Sequence, residues 1–171
     1  MKHGALAVVA LGLGLAAAAV GRPQRPGALD VGALASAVQH EADHVTALEL
    51  GEWIKARKPG LRVIDVRSQQ EFDEDHIPTA ERLPLETLVT THFDRDDTLV
   101  LYSGGGAHAA QGWVFLRALG YEHVYFLRGG FDEWNDEVMN PLRQTDVSRY
   151  FGGIARSPSA PGAPRKRRNS C

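Results

Sequence analysis

The chain has 171 residues, enough for one domain with a hydrophobic core and too few for two of ordinary size. Nineteen Lys and Arg against 21 Asp and Glu leave a formal charge of −2, so no molecule-wide field points to nucleic acid or to an acidic substrate. The single cysteine, Cys171, excludes an internal disulfide and leaves an exposed thiol or an intermolecular bridge.

In chain order, "MKHGALAVVALGLGLAAAAVG" sets one lysine before an apolar run that ends in small residues. This is the layout of a secretory signal peptide over residues 1–21 or, uncleaved, of a membrane anchor over residues 4–21. Ala17 and Ala19, or Ala19 and Gly21, fit the cleavage positions. A periplasmic, secreted or membrane-anchored protein is therefore expected. Residues 22–43 read as a Pro/Gly linker followed by a short helix from Val31 to Glu41. Within "HEADH", His40, Glu41 and His44 fit H-E-x-x-H, which on a helix holds zinc. Asp43 beside the second histidine and the change of pattern at "VTALEL" argue against that helix, and no metal site is assigned.

The pattern then sharpens. Thr46 and Glu49 form a capping box, Leu50, Trp53 and Ile54 share the following helical face, and Pro59-Gly60 stops it. "LRVIDV" is a strand. Ser68 and Glu71 open a second capped helix, "AERLP" is extended, "LETLVTTHF" helical and "TLVLYS" a strand. A helix over "HAAQGWVFLRALG" ends at Gly120, "HVYFL" is a strand, and "GGFDEWNDEVMN" is a helix closed by Asn140-Pro141. Trp53, Trp113 and Trp134 fall at helical core positions. Residues 142–171 end in "SPSAPGAPRKRRNSC" and read as a Pro-rich, basic, disordered tail, with Arg165 to Arg168 a solvated charge run.

Apolar strands alternating with helices predict an α/β fold, a parallel sheet covered on both faces, with its ligand crevice at the carboxyl ends of the strands. In "LVLYSGGGAHAAQG", Ser103 stands at such an end. A glycine-rich turn into a helix lets backbone N–H groups converge and adds the helix dipole, so Ser103, Gly104, Gly105, Gly106, Ala107 and His108 form a candidate anion cradle. The bland alternative is a tight turn. Two sharper readings fit less well. A Ser103–His108 hydrolase pair lacks the first glycine of the nucleophile elbow, where Leu101 stands, and lacks a group to orient the histidine. Gly104, Gly106 and Ala109 fit G-x-G-x-x-A, but Arg128 follows the next strand where a dinucleotide site wants an acid, so no cofactor is expected.

"VIDVRSQQEFDEDHIPTAERLP" and "LVLYSGGGAHAAQGWVFLRALGYEHVYFLRGGFDEW" resemble the rhodanese-like family over roughly residues 45–141. Asp65 and Arg67, Glu71-Phe72, His76-Ile77-Pro78 and Ala80 match its first block, and Gly129-Gly130 with Trp134 its last. The resemblance implies a domain over residues 44–141 with five parallel strands flanked by helices and the active loop after the fourth strand. It also implies that the residue ending that strand is a cysteine carrying sulfane sulfur as a persulfide. An ungapped match from "LVLY" to "LGY" puts Ser103 there and makes Ser103 to His108 a six-residue loop, the sulfurtransferase length. Gly106 matches a loop glycine, while His108 stands where Arg, Ser or Thr is usual. Asp65, Arg67 and His76 are expected to form a structural network. A serine hydroxyl is not ionised by a cradle alone and is a poor persulfide carrier. The expectation is a module without sulfur transfer that binds a small oxyanion or a protein partner, with active transfer or a Ser103 hydrolase as the alternatives.

Overall fold

The computed structural model describes residues 30–156. The expected leader, the first part of the linker and the basic run 165–168 lie outside the described residues. In chain order the elements are α1 (Val31–Gln39), β1 (His44–Val45), α2 (Ala47–Lys55), β2 (Leu61–Asp65), α3 (Gln69–Glu74), β3 (Glu81–Arg82) and α4 (Leu85–Leu88). They continue with β4 (Thr98–Tyr102), α5 (Ala107–Ala118), β5 (Val124–Leu127), α6 (Gly130–Trp134) running into a π-helical turn (Asn135–Met139), and α7 (Asp146–Tyr150). The two capping boxes form as their spacing predicts: Thr46 and Ser68 each accept from the N–H three residues on, and Glu49 and Glu71 reach back.

The five strands make one sheet in the order β1-β5-β4-β2-β3, every pair parallel. All five residues of β4 are buried, the condition of a central strand with helices on both faces. One core cluster joins Leu50, Ile54, Val63, Val100, Tyr102, Phe131 and Trp134. The other, on the opposite face, joins Ile64, Leu88, Leu99, Leu101, Trp113 and Leu116. From β2 the chain moves outward to β3, and from β4 it moves the other way to β5. The carboxyl ends of β2 and β4 therefore flank the switch point where ligands bind in such sheets.

Several expectations are corrected. The chain past Pro141 is not a tail throughout: α7 carries its own capping box at Thr145 and Ser148, and Val147 is buried in the first core cluster. Gly51 permits this, because a Cβ there would lie 2.3 Å from Val147 Cγ1. Trp53 is half-buried rather than central, with its edge on Tyr125 and Lys58 Nζ 3.6 Å from its ring centroid. Only Leu85–Leu88 of "LETLVTTHF" is helical. In "HEADH", His40 caps the end of α1, Glu41 takes a positive φ of 53°, and His44 begins β1, so the two histidines share no helix. His44 Nδ1 instead lies 2.8 Å from Asp43 Oδ1. Among the described residues no helix is long and apolar enough to cross a membrane.

Candidate functional site

The segment following β4 starts with Ser103, 1% exposed, and reaches α5 through Gly106, whose φ of 93° turns the chain into the helix. Ser103 Oγ accepts from the Gly106 N–H (3.1 Å) and the Ala109 N–H (3.4 Å). A hydroxyl has two acceptor sites and one donor, so both acceptors are occupied and the O–H remains to donate. The loop carbonyls are taken by the start of α6: Phe131 N–H donates to the Ser103 carbonyl (2.8 Å) and Asp132 N–H to that of Gly104 (3.0 Å). Among the described residues, the Gly104, Gly105, Ala107 and His108 amides have no protein acceptor. The loop thus keeps four amide donors without a protein acceptor next to a serine whose spare function is donation, a set suited to an anion.

Gly130 makes this seating possible. Its φ is 60°, and a Cβ there would stand 2.2 Å from the Ser103 carbonyl oxygen and 2.7 Å from the Gly106 nitrogen. The Gly129-Gly130 pair singled out in the sequence is the floor on which the loop rests.

Beneath lies an ion pair, Asp65 (0% exposed) with Arg67 (6%). Arg67 Nη2 is 2.6 Å from Asp65 Oδ2, its Nε 3.0 Å from both carboxylate oxygens, and its backbone N–H donates to Oδ1 at 2.8 Å. The guanidinium also donates to the Asp75 carbonyl and lies 4.1 Å from the Phe131 ring centroid. Burial works against its charge, but the bonds to Asp65 outweigh this and hold the Arg67 pKa above its ordinary value. Burial first, and then the Asp65 carboxylate, push the Tyr102 phenol far above its usual range, so it stays neutral and accepts from the Ile77 N–H at 3.2 Å. Asp65 and Arg67 therefore sit together as a buried strut under Phe131. His76 does not join them: it is exposed, stacks on Phe72 with centroids 4.1 Å apart, and bonds the Phe72 carbonyl through Nδ1. His108 is half-buried on the first turn of α5, and the hydrogen bonds of Ser103 Oγ go to amides, not to its ring.

One feature escaped the sequence reading. Gly129, Asp132, Glu133, Asp136 and Glu137 line a cleft of 320 Å³ beside the loop. The signal was "DEWNDE", acids at i, i+1, i+4 and i+5, which a helix gathers on one side. Arg128 bonds Glu133 and Arg156 bonds Asp136. Glu137 has its pKa raised by burial and then by neighbouring Glu133.

Comparison with known proteins agrees with the fold. The family profile described as rhodanese-like domain matches residues 46–137. The thiosulfate sulfurtransferase GlpE of Coxiella burnetii is 29% identical over 87 residues, covering 50% of this chain and 81% of that protein. A tRNA uridine(34) hydroxylase of Hamiltonella defensa is 26% identical over 122 residues, covering 67% of this chain but 33% of that longer protein. The solution structure of a rhodanese-like domain from Anabaena superposes with a TM-score of 0.50 at 25% identity, covering 70% of this chain and 86% of that one. With a five-stranded parallel sheet, a glycine loop at the tip of β4 and the family profile across more than half its length, the chain belongs to the rhodanese-like domain family.

Proposed function

We propose that this rhodanese-like domain does not transfer sulfur and serves as an oxyanion-binding or regulatory module, with Ser103 at the position of the family's sulfur-carrying cysteine. The carrying observation is the Ser103 oxygen, held by the Gly106 and Ala109 amides at the end of β4. In such a ring a thiol of ordinary pKa ~8.5 becomes a thiolate at neutral pH. An alcohol does not ionise there without an adjacent base, and both acceptor sites of Ser103 are already engaged, which also disfavours a Ser103 hydrolase. The free amides of Gly104, Gly105, Ala107 and His108 support retention of an anion such as sulfate, thiosulfate or phosphate. A protein partner that brings an anionic group to the loop is served by the same donors. Residues 1–21 support export or membrane association, which the mature N-terminal mass tests.

Transfer from thiosulfate to cyanide by purified protein decides the matter. No turnover is expected from the native chain, and Ser103→Cys is expected to gain it. Native turnover that vanishes in Ser103→Ala would overturn the proposal. Anions held by the loop raise apparent stability with occupancy, so thiosulfate or sulfate is expected to lift the melting temperature of the native protein.

A further inference from the structure

Charge is unevenly shared among the described residues. Residues 30–140 carry nine Lys and Arg against 20 Asp and Glu, a formal −11. Residues 141–156 carry Arg143, Arg149 and Arg156 against Asp146 alone, a formal +2. This segment is a basic end on an acidic body. Near an anionic surface such a molecule presents its basic end, because the surface repels the body and attracts the end.

The same segment holds the two most exposed large apolar side chains among the described residues, Leu142 (78%) and Ile154 (75%), together with Tyr150 (55%). Their backbone is tied down. The Ile154 N–H donates to the Met139 carbonyl and the Arg156 N–H to the Pro141 carbonyl, both at 2.8 Å. Gln144 Nε2 donates to the Gly153 carbonyl, also at 2.8 Å. Residues 139–144 and 153–156 therefore lie side by side, with Leu142 between two positions bonded to the other stretch. Gly153 makes the fit possible, since a Cβ there would stand 2.0 Å from the Val138 carbonyl oxygen. Tyr150 ends α7, its ring edge-on against Phe151. Aliphatic side chains held in water by a hydrogen-bonded backbone bury little within the domain and mark a surface made to meet something else.

We infer that this end of the domain, with Leu142, Arg143, Arg149, Tyr150, Ile154 and Arg156, docks on the surface of an anionic lipid bilayer. Leu142 and Ile154 enter the boundary of the acyl chains, and Tyr150 sits at the headgroup level, where its ring is buried and its hydroxyl stays wet. The guanidinium groups meet lipid phosphates. Arg149 and Arg156 pair with Asp146 and Asp136, while Arg143 makes no ion pair among the described residues and is the cation most open to a phosphate. Other exposed apolar positions lack this company. Val31 and Val38 lie on α1, which carries no basic residue, and Phe115 and Leu119 are less exposed and belong to the acidic body. The inference does not depend on what the Ser103 loop binds or transfers.

Photocrosslinking to lipid reads the docked face directly. The full chain is mixed with vesicles of phosphatidylcholine and phosphatidylglycerol that include a phosphatidylcholine with a diazirine high on its acyl chain, irradiated, and mapped for lipid adducts by mass spectrometry. Adducts are expected on residues 141–156. They should fall about tenfold or more in the double variant Leu142→Ser with Ile154→Ser, which removes most of the inserted apolar area. Both side chains are exposed, so the variant keeps the native melting temperature closely and its loss of adducts is not a loss of fold. Adducts should also fall on vesicles of phosphatidylcholine alone, and at about 1 M salt, where the Debye length is only ~3 Å. Adducts confined to residues 1–29 or 157–171, centred on α1 or α5, unchanged in the double variant, or equal on neutral vesicles overturn the inference. So does an absence of adducts, and a dimer that the double variant abolishes would then give this face to a second copy of the chain.

Discussion

The two sides of the Ser103 loop are built on opposite terms. Toward the protein, the contacts are closed: the Ser103 and Gly104 carbonyls accept from α6, Ser103 Oγ accepts from two amides, and Arg67 braces Phe131 while paired with Asp65. The loop's remaining donors are open: the Gly104, Gly105, Ala107 and His108 amides have no protein acceptor among the described residues, and the neighbouring cleft is rimmed with carboxylates. Satisfied groups resist change, whereas open ones await a partner. The inner side is thus the part that maintains the fold, and the outer side is where a ligand gains most.

That contrast can be attacked from its strongest point downward. Gly130→Ala forces a Cβ to within 2.2 Å of the Ser103 carbonyl at a positive φ, and is expected to cost about 4 kcal/mol or more in urea unfolding. Arg67→Met strands the buried Asp65 carboxylate and should cost about 3–5 kcal/mol by the same measurement. Tyr102 gives a pH signature. Its phenol titrates above its ordinary value in the folded state, so the unfolded chain ionises first as the pH rises. Its contribution is full below about pH 10 and falls by about 1.4 kcal/mol per pH unit above it, until the folded phenol titrates. The native protein should therefore lose its advantage over Tyr102→Phe in alkaline unfolding series. On the outer side, a Cβ at Gly105 meets nothing within 4 Å, and Gly105→Ala should shift stability by less than about 0.5 kcal/mol. A large loss there would erase the distinction between the two sides.

Much of the frame is legible in the sequence. The apolar run of β4 and the glycines after Ser103 marked a strand-to-helix junction, because burial on both faces and tight backbone approach each leave a trace in residue type. Thr46/Glu49 and Ser68/Glu71 marked their helix starts by local chemistry. What stayed hidden depends on distant partners. Asp132 to Glu137 become a cleft only when α6 is seated on the loop, and Trp53 is drawn outward by Tyr125 and Lys58. The α7 segment was obscured because its capping box uses Ser148 in place of Glu or Gln, and because its apolar anchor, Val147, is a single residue fitted against Gly51.

That last contact carries the folded unit past the end of the family profile. The family profile stops at residue 137, yet Phe151 lies edge-on against Trp134 with centroids 5.1 Å apart, and the Ile154 N–H bonds the Met139 carbonyl. A protein trimmed to the profile would strip this cover from Leu50 and Trp134 and turn a sealed seam into a greasy notch, a starting point for aggregation. For this chain, the smallest piece worth producing extends through Arg156.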